Sequence, residues 1–191
     1  MLEVNYTMII RYYFILLIFF IAILLPVCNP PIYAQESSSN DDGRYCWADV
    51  GIGGAWVNGG IGSPADKSGF SIGLDLYYQN GYDLFSLRIT ATVEPRLILW
   101  GNQKAESISE YGVLYGRVAK ASYGAASVSA GISIVGESPY TSFTTVGLPL
   151  EAQLIWTPTP ILGIGFKGFA NLNPQKSFAG LLFCLQIGKL R

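Results

Sequence analysis

The sequence predicts an all-β domain built as one antiparallel up-and-down barrel of eight strands, and three observations support this prediction. Between Arg44 and Lys189, eight runs of residues alternate between apolar and polar side chains. No segment of that region keeps the 3.6-residue period of a helix. Longer and shorter links alternate between the runs, as expected for neighbouring strands that run up and down. An even number of such strands can close on itself.

Composition narrows the class of protein. The 191 residues suffice for one domain with a core, and only 13% are charged, about half the share of an average soluble domain. The net charge of −1 and the absence of a basic run argue against nucleic acid as a partner. The chain has no histidine, which removes the commonest general base and most zinc sites. Its three cysteines, Cys28, Cys46 and Cys184, have no CxxC spacing, so we expect no metal and no cofactor.

Residues 1–34 are expected to be a cleaved signal peptide. Arg11 precedes an apolar run over residues 12–25, and Ala34 offers a small residue at the cut, so the mature chain should begin near Gln35. Two alternatives remain open: an uncleaved membrane anchor over residues 8–25, and lipidation at Cys28. All three send the chain out of the cytoplasm. Residues 35–43 are then a flexible polar lead-in, and residues 44–191 form the barrel.

The strand-like runs are followed by links of two kinds. The Asn80-Gly81 pair is a strong hairpin signal, and the links near 122–123 and 157–160 are equally short. The other links are mostly longer. Short turns at one end and longer loops at the other are typical of bacterial transmembrane barrels, in which the short turns face the periplasm. The runs cover residues 45–57, 69–79, 83–94, 110–120, 124–136, 145–156, 161–172 and 177–189.

The two faces of the runs differ in an unusual way. From Val146 to Ile187 one face is apolar, whereas the other holds glycines, amides and an occasional single charge. The water-facing side of a soluble barrel is normally rich in Lys and Glu. Small residues with few charges suit a narrow interior instead, so we expect the apolar face to meet lipid and the polar face to line the inside.

Charges on the polar face are expected to pair, because an unpaired charge in a confined interior is costly. Counting back from the turn at residues 157–160 places Glu151 opposite Lys167 on the neighbouring strand. The facing of the fourth strand stays open, because Tyr111, Val113 and Tyr115 compete with Leu114 and Val118 for the apolar side. The predicted interior network, structural in role and not catalytic, consists of Asp49, Asp75, Arg88, Arg117, Glu151 and Lys167.

The eight alternating runs, the rhythm of the links and the export segment together resemble small eight-stranded outer-membrane barrels of the OmpX and OmpA transmembrane-domain type. The resemblance covers residues 44–191, and the last run looks like a barrel-assembly signal through Gly180, Phe183 and Leu185. It departs from the usual form by ending in Lys189-Leu190-Arg191 without a terminal aromatic residue. The resemblance implies a monomer in the outer membrane of a Gram-negative cell, with lipids and the outer-membrane assembly machinery as partners.

On this basis we expect a protein without enzymatic activity that serves the cell envelope structurally or through its external loops, whose ligand the sequence does not name. An eight-stranded interior is just wide enough to be filled by side chains, so a porin-like shape need not carry an open pore. One alternative is a soluble exported lipocalin-like carrier, in which the apolar face would line a cavity for a small hydrophobic ligand. Another is a membrane-embedded barrel enzyme, for which the sequence offers no nucleophile–base spacing.

Overall fold

The computed structural model describes residues 43–58, 67–93, 107–138 and 144–190. The predicted signal peptide and nearly all of the lead-in lie outside these residues. Among the described residues, no helix is long and apolar enough to cross a membrane, a finding that has no bearing on crossing by strands.

The described chain forms eight strands, and each boundary lies within three residues of the predicted one. Polar and small residues separate the strands at the short links, where the chain reverses. The strands are β1 (Arg44–Val57), β2 (Lys67–Asn80), β3 (Asp83–Val93), β4 (Ser107–Ala121), β5 (Gly124–Ser138), β6 (Thr144–Trp156), β7 (Leu162–Leu172) and β8 (Phe178–Lys189).

The strands close into a barrel. Each strand pairs antiparallel with the next in the chain, and β1 pairs with β8 from Cys46 opposite Lys189 to Val57 opposite Phe178. Closure leaves no strand edge with bare backbone N–H and C=O groups. The predicted all-β, eight-stranded, antiparallel up-and-down barrel is confirmed.

The alternation of side chains sets the two surfaces of the wall. The apolar face predicted for β6 to β8 points outward, and the polar face points into the barrel. In β4, whose facing the sequence left open, Tyr111, Val113 and Tyr115 point outward, while Leu114 and Val118 are buried inside. The polar interior and apolar exterior therefore run around the whole barrel.

The hairpin between β2 and β3 differs from the predicted turn. Asn80 pairs with Asp83, so the two central residues are Gly81 and Tyr82, one position later than predicted. Gly81 has a φ of 61°, whereas no residue other than glycine has a positive φ in the described chain. An Asn-Gly turn of type I′ needs positive φ at both central positions, so this turn instead meets the type II′ requirement of glycine at the first.

Two apolar clusters fill the ends of the interior. The floor cluster lies at the end of the short turns and consists of Tyr45, Trp47, Tyr77, Leu84, Ile155 and Leu190. The upper cluster lies toward the longer links and consists of Ala55, Val57, Ile108, Val135, Phe169, Phe178, Leu182 and Cys184. Trp47 and Tyr77 stack in the floor cluster with ring centroids 5.0 Å apart. Polar side chains occupy the space between the two clusters.

The cysteines face opposite sides of the wall, as the alternation predicts. Cys184 is buried inside opposite Gly51, whereas Cys46 is half-buried and lies opposite Lys189. Gly51, the residue opposite Cys184, lies five positions along β1 from Cys46. Five positions correspond to roughly 16 Å, far beyond the reach of a disulfide. We therefore expect the intact mass of the mature protein to be the same with and without reductant. A loss of hydrogens that reductant restores would contradict the facing of these strands.

Candidate functional site

Lys167 is the cation at the centre of the interior. It lies on β7, it is about 1% exposed, and its Nζ donates to Asp49 Oδ1 at 2.7 Å and to Asp75 Oδ2. Gln153 Nε2 donates to the second oxygen of Asp49 at 2.7 Å. The inward positions of β1, β2 and β7 therefore meet at one ammonium group, and β6 joins them through Gln153. A buried charge is tolerable only when it is paired and hydrogen-bonded in this way.

Arg88 is the second cation, on the inward face of β3. Its Nη2 donates to Glu151 Oε2, and its Nε lies 3.6 Å from Asp75 Oδ1. The Tyr77 hydroxyl donates to the other oxygen of Glu151 at 2.9 Å, which connects the charges to the floor cluster. Because Asp75 contacts both Arg88 and Lys167, the two cations belong to one network.

Glu110 and Asn171 belong to this network, although the sequence analysis did not include them. Glu110 Oε1 lies 3.9 Å from Arg88 Nη1 and accepts a hydrogen bond from Asn171 Nδ2 at 2.8 Å. Glu110 was missed because the facing of β4 was open. The signal that would have found it is its even-numbered position, which it shares with Leu114 and Val118.

Arg117 is not in the interior, and that prediction is wrong. Its side chain is 65% exposed on the outer surface near the end of the short turns, where Nη1 lies 3.4 Å from Asp83 Oδ1. The reason is parity, because Arg117 alternates with Tyr111, Val113 and Tyr115, which point outward. The charged residue that β4 contributes to the interior charge network is Glu110 instead.

The predicted pairing of Glu151 with Lys167 is also wrong. The register places Gln153 opposite Lys167 and Phe169 opposite Glu151, a shift of two residues. The turn between β6 and β7 is centred later than the sequence suggested, because β7 begins only at Leu162, whose N–H donates to Thr159 Oγ1. Glu151 therefore pairs with Arg88, and Lys167 pairs with the two aspartates.

Four carboxylates and two cations in the interior form one connected group, which we name the interior charge cluster. Each of its four carboxylates lies within 3.9 Å of one of its two cations, and its members come from six of the eight strands. No group of acidic residues and cysteines in the described part of the chain could hold a metal ion. The arrangement ties the wall together across the interior. Its members are Asp49, Asp75, Arg88, Glu110, Glu151 and Lys167.

Comparison with known proteins places the fold. No family model matches the sequence, and no curated protein matches it. Among solved structures, Neisserial surface protein A aligns with a TM-score of 0.55 and 13% identity, over 76% of this chain and 96% of that one.

The attachment invasion locus protein Ail of Yersinia pestis aligns with a TM-score of 0.55 and 16% identity, over 76% of this chain and 98% of that one. A second structure of Ail, in complex with the heparin analogue sucrose octasulfate, aligns with a TM-score of 0.53. At this level of identity the likeness concerns the fold. With its closed barrel of eight antiparallel strands, the chain has the fold of the small eight-stranded outer-membrane β-barrels.

Proposed function

We propose that the chain is an integral β-barrel of the outer membrane, without enzymatic activity, that serves the cell envelope structurally or by binding through its external loops. The observation that supports this most strongly is the inversion of the wall, with apolar side chains outside and the interior charge cluster inside. A protein in water buries its large apolar side chains and exposes its charges. A protein in a bilayer can do the reverse.

The outer surface is continuous and apolar through the middle of the wall. Outward positions there hold Val50, Ile72, Leu87, Ile132 and Phe183, all of them exposed. The outward charges at Arg44, Asp83, Arg117 and Lys189 lie near the end of the short turns. An apolar band with charges only beyond its edge matches the outer surface of transmembrane barrels.

Exposed aromatic residues flank this band near the same end. Tyr82 is 73% exposed in the β2–β3 turn, Tyr123 is exposed in the β4–β5 turn, and Trp156 is exposed at the end of β6. Tyr and Trp favour the membrane–water interface because their rings are apolar and their polar tips are hydrated. These residues mark the level where the bilayer would end on the side of the short turns.

The alternative of a soluble lipocalin-like carrier is wrong. It requires the apolar face to line a central cavity, whereas that face points outward. The centre of the barrel holds the interior charge cluster, and apolar clusters fill both ends. A small hydrophobic ligand would find a polar, charged lining there.

Binding through the loops is the finer part of the proposal. One structural neighbour is named as an attachment and invasion protein, and one of its structures contains a heparin analogue. In this chain the β7–β8 loop, residues 173–177, is held by its own side chains: Asn173 Oδ1 accepts from the N–H groups of Gln175 at 3.1 Å and of Lys176 at 2.8 Å. A loop that is fixed before binding loses less entropy when it engages a partner.

Fractionation and gel migration test the membrane location. We expect the mature protein in the outer-membrane fraction, extractable only with detergent, and migrating differently with and without heating because the closed barrel survives unheated detergent. Recovery in the soluble fraction without detergent would refute the proposal.

Arginine on the outer surface should impair membrane insertion. Leu150 and Phe166 are exposed mid-wall on β6 and β7, so Leu150→Arg and Phe166→Arg should each cost about 2–4 kcal/mol if the sites lie near the middle of the bilayer. Insertion into lipid vesicles, followed by protease protection, measures this. The controls are Leu150→Phe and Phe166→Leu, which keep the band apolar and should insert like the original protein. Arginine variants that insert equally well would contradict the membrane assignment.

A further inference from the structure

One seam in the wall is interrupted. Among the described strands, every other ladder runs through its whole register without a gap. Between β5 and β6, pairing holds at Ala130 with Leu150 and again at Ser133 with Gly147. It is lost between them, where Gly131 and Ile132 face residues 148–149. The β5–β6 ladder therefore lacks two pairs at mid-height.

Pro149 accounts for the gap. Proline has no N–H to give to a ladder, and its ring holds φ near −65°, away from the extended value of a strand. In open sheets proline is confined to edges and bulges, but a closed barrel has no edge strand. Pro149 lies in the interior of β6, so the missing pairing falls within the wall and not at its rim.

The two strands at the gap are in close contact with their other neighbours. A Cβ at Gly131 would overlap the carbonyl oxygen of Val113, so β5 lies close against β4 at this height. A Cβ at Gly147 would overlap the side-chain amide of Asn171, so the inner surface of β6 is covered from β7. At the gap, β5 therefore packs closely against β4, and β6 packs closely against β7.

Asn171 bridges the gap from inside the barrel. Its Nδ2 donates to Ser133 Oγ on β5 at 2.7 Å and to Glu110 Oε1 on β4 at 2.8 Å. The side chain is fully buried and passes over Gly147 to reach these partners. Ser133 is the first paired residue on one side of the gap, so this bond ties β5 to β7, across β6, where the ladder resumes.

The β7–β8 loop is connected to this bond. Asn173 Nδ2 donates to Asn171 Oδ1 at 3.1 Å and to the carbonyl of Lys176 at 2.8 Å. Lys176 Nζ in turn pairs with Glu137 near the end of β5. The loop therefore holds both the bridging amide and the strand on the far side of the gap.

We propose that the β5–β6 seam is a lateral opening in the barrel wall, latched by Asn171 and controlled from the β7–β8 loop. In the closed state Asn171 bonds Ser133 and Glu110. A partner that engages the loop and displaces Asn173 removes one support of the latch and favours the open state. Such a ligand shifts the equilibrium only by its differential affinity for the two states.

Hydrogen exchange in detergent tests the opening. Amides of residues 129–133 and 147–150 should exchange faster than those of the uninterrupted β2–β3 seam at residues 71–75 and 88–92. Pro149→Val, which supplies the missing N–H, should slow exchange at the β5–β6 seam. Asn171→Ala should speed it by about threefold to tenfold, the effect expected from losing a hydrogen bond. Equal protection of the two seams in the original protein, or an Asn171→Ala effect that is the same at both, would overturn the proposal.

A pair of loop variants tests the control. Asn173→Ala should raise exchange at the β5–β6 seam although Asn173 lies outside it. Gln175→Ala, an exposed position on the same loop that uses only its backbone N–H, should leave the seam unchanged. If Asn173→Ala leaves the seam unchanged, or if the two variants act alike, the loop does not control the latch.

Discussion

Replacing Lys167 with methionine should lower the free energy of unfolding in detergent by about 3–5 kcal/mol, the cost of leaving a buried charge without its partner. The variant keeps an unbranched side chain one atom shorter but removes the only cation that contacts Asp49 in the described interior. Asp75 retains Arg88 at 3.6 Å, so the loss falls mainly on Asp49. Denaturant unfolding followed by gel migration or tryptophan fluorescence measures the change.

A second substitution should restore much of the loss. Asp49→Asn added to Lys167→Met removes the negative charge that has lost its cation. Glu151→Gln should restore less, because Glu151 pairs with Arg88. The control is Arg117→Met on the exposed outer surface, where an ion pair contributes less than about 1 kcal/mol. A Lys167→Met effect as small as that of the control would mean that the interior is open to water.

Replacing Arg88 with methionine should be at least as damaging, again by about 3–5 kcal/mol. Arg88 is about 1% exposed and faces Glu151, Asp75 and Glu110 from three different strands. No other cation in the described part of the chain contacts Glu151 or Glu110 through a salt bridge. Unfolding midpoints in detergent give the measurement.

The matched variant is Arg88→Lys, which keeps the positive charge but replaces the planar guanidinium group, with its N–H donors on three nitrogens, by a compact ammonium group. Because the donors of a lysine ammonium all lie on one nitrogen and cannot span the positions of Nε, Nη1 and Nη2, we expect an intermediate loss. If Arg88→Lys is as unstable as Arg88→Met, shape and not charge governs the site. If Arg88→Met is as stable as the original protein, the interior charge cluster does not support the wall.

The sequence sufficed for the fold because the relevant pattern is local. Alternation with a period of two shows which face of each run is apolar, and a shift of one residue would reverse every side chain. The strand limits and the facing of Lys167 followed from it. In β4 the pattern was ambiguous, since apolar residues occupy both faces, and the errors at Arg117 and Glu110 came from that strand.

Contacts between strands were harder to predict than facing. The pairing of Glu151 with Lys167 depended on the centre of one turn, and a shift of two residues there replaced both partners. Asn171 was invisible as a site residue because its partners lie on β5 and β4, two and three strands away. Which side chains meet across a barrel depends on the stagger of the whole wall. No single stretch of sequence encodes that stagger.

The pairing of β1 with β8 has a consequence for how fast the chain can fold. Cys46 and Lys189 are neighbours in space but lie at opposite ends of the described strands, so the final contact closes a loop of nearly the whole domain. Contacts between distant residues make folding slow, because the entropy of loop closure is lost before the contact is gained. Until β8 arrives, an incomplete barrel has two bare edges that can pair with another chain. The period between synthesis and closure is therefore when this protein most needs protection from aggregation.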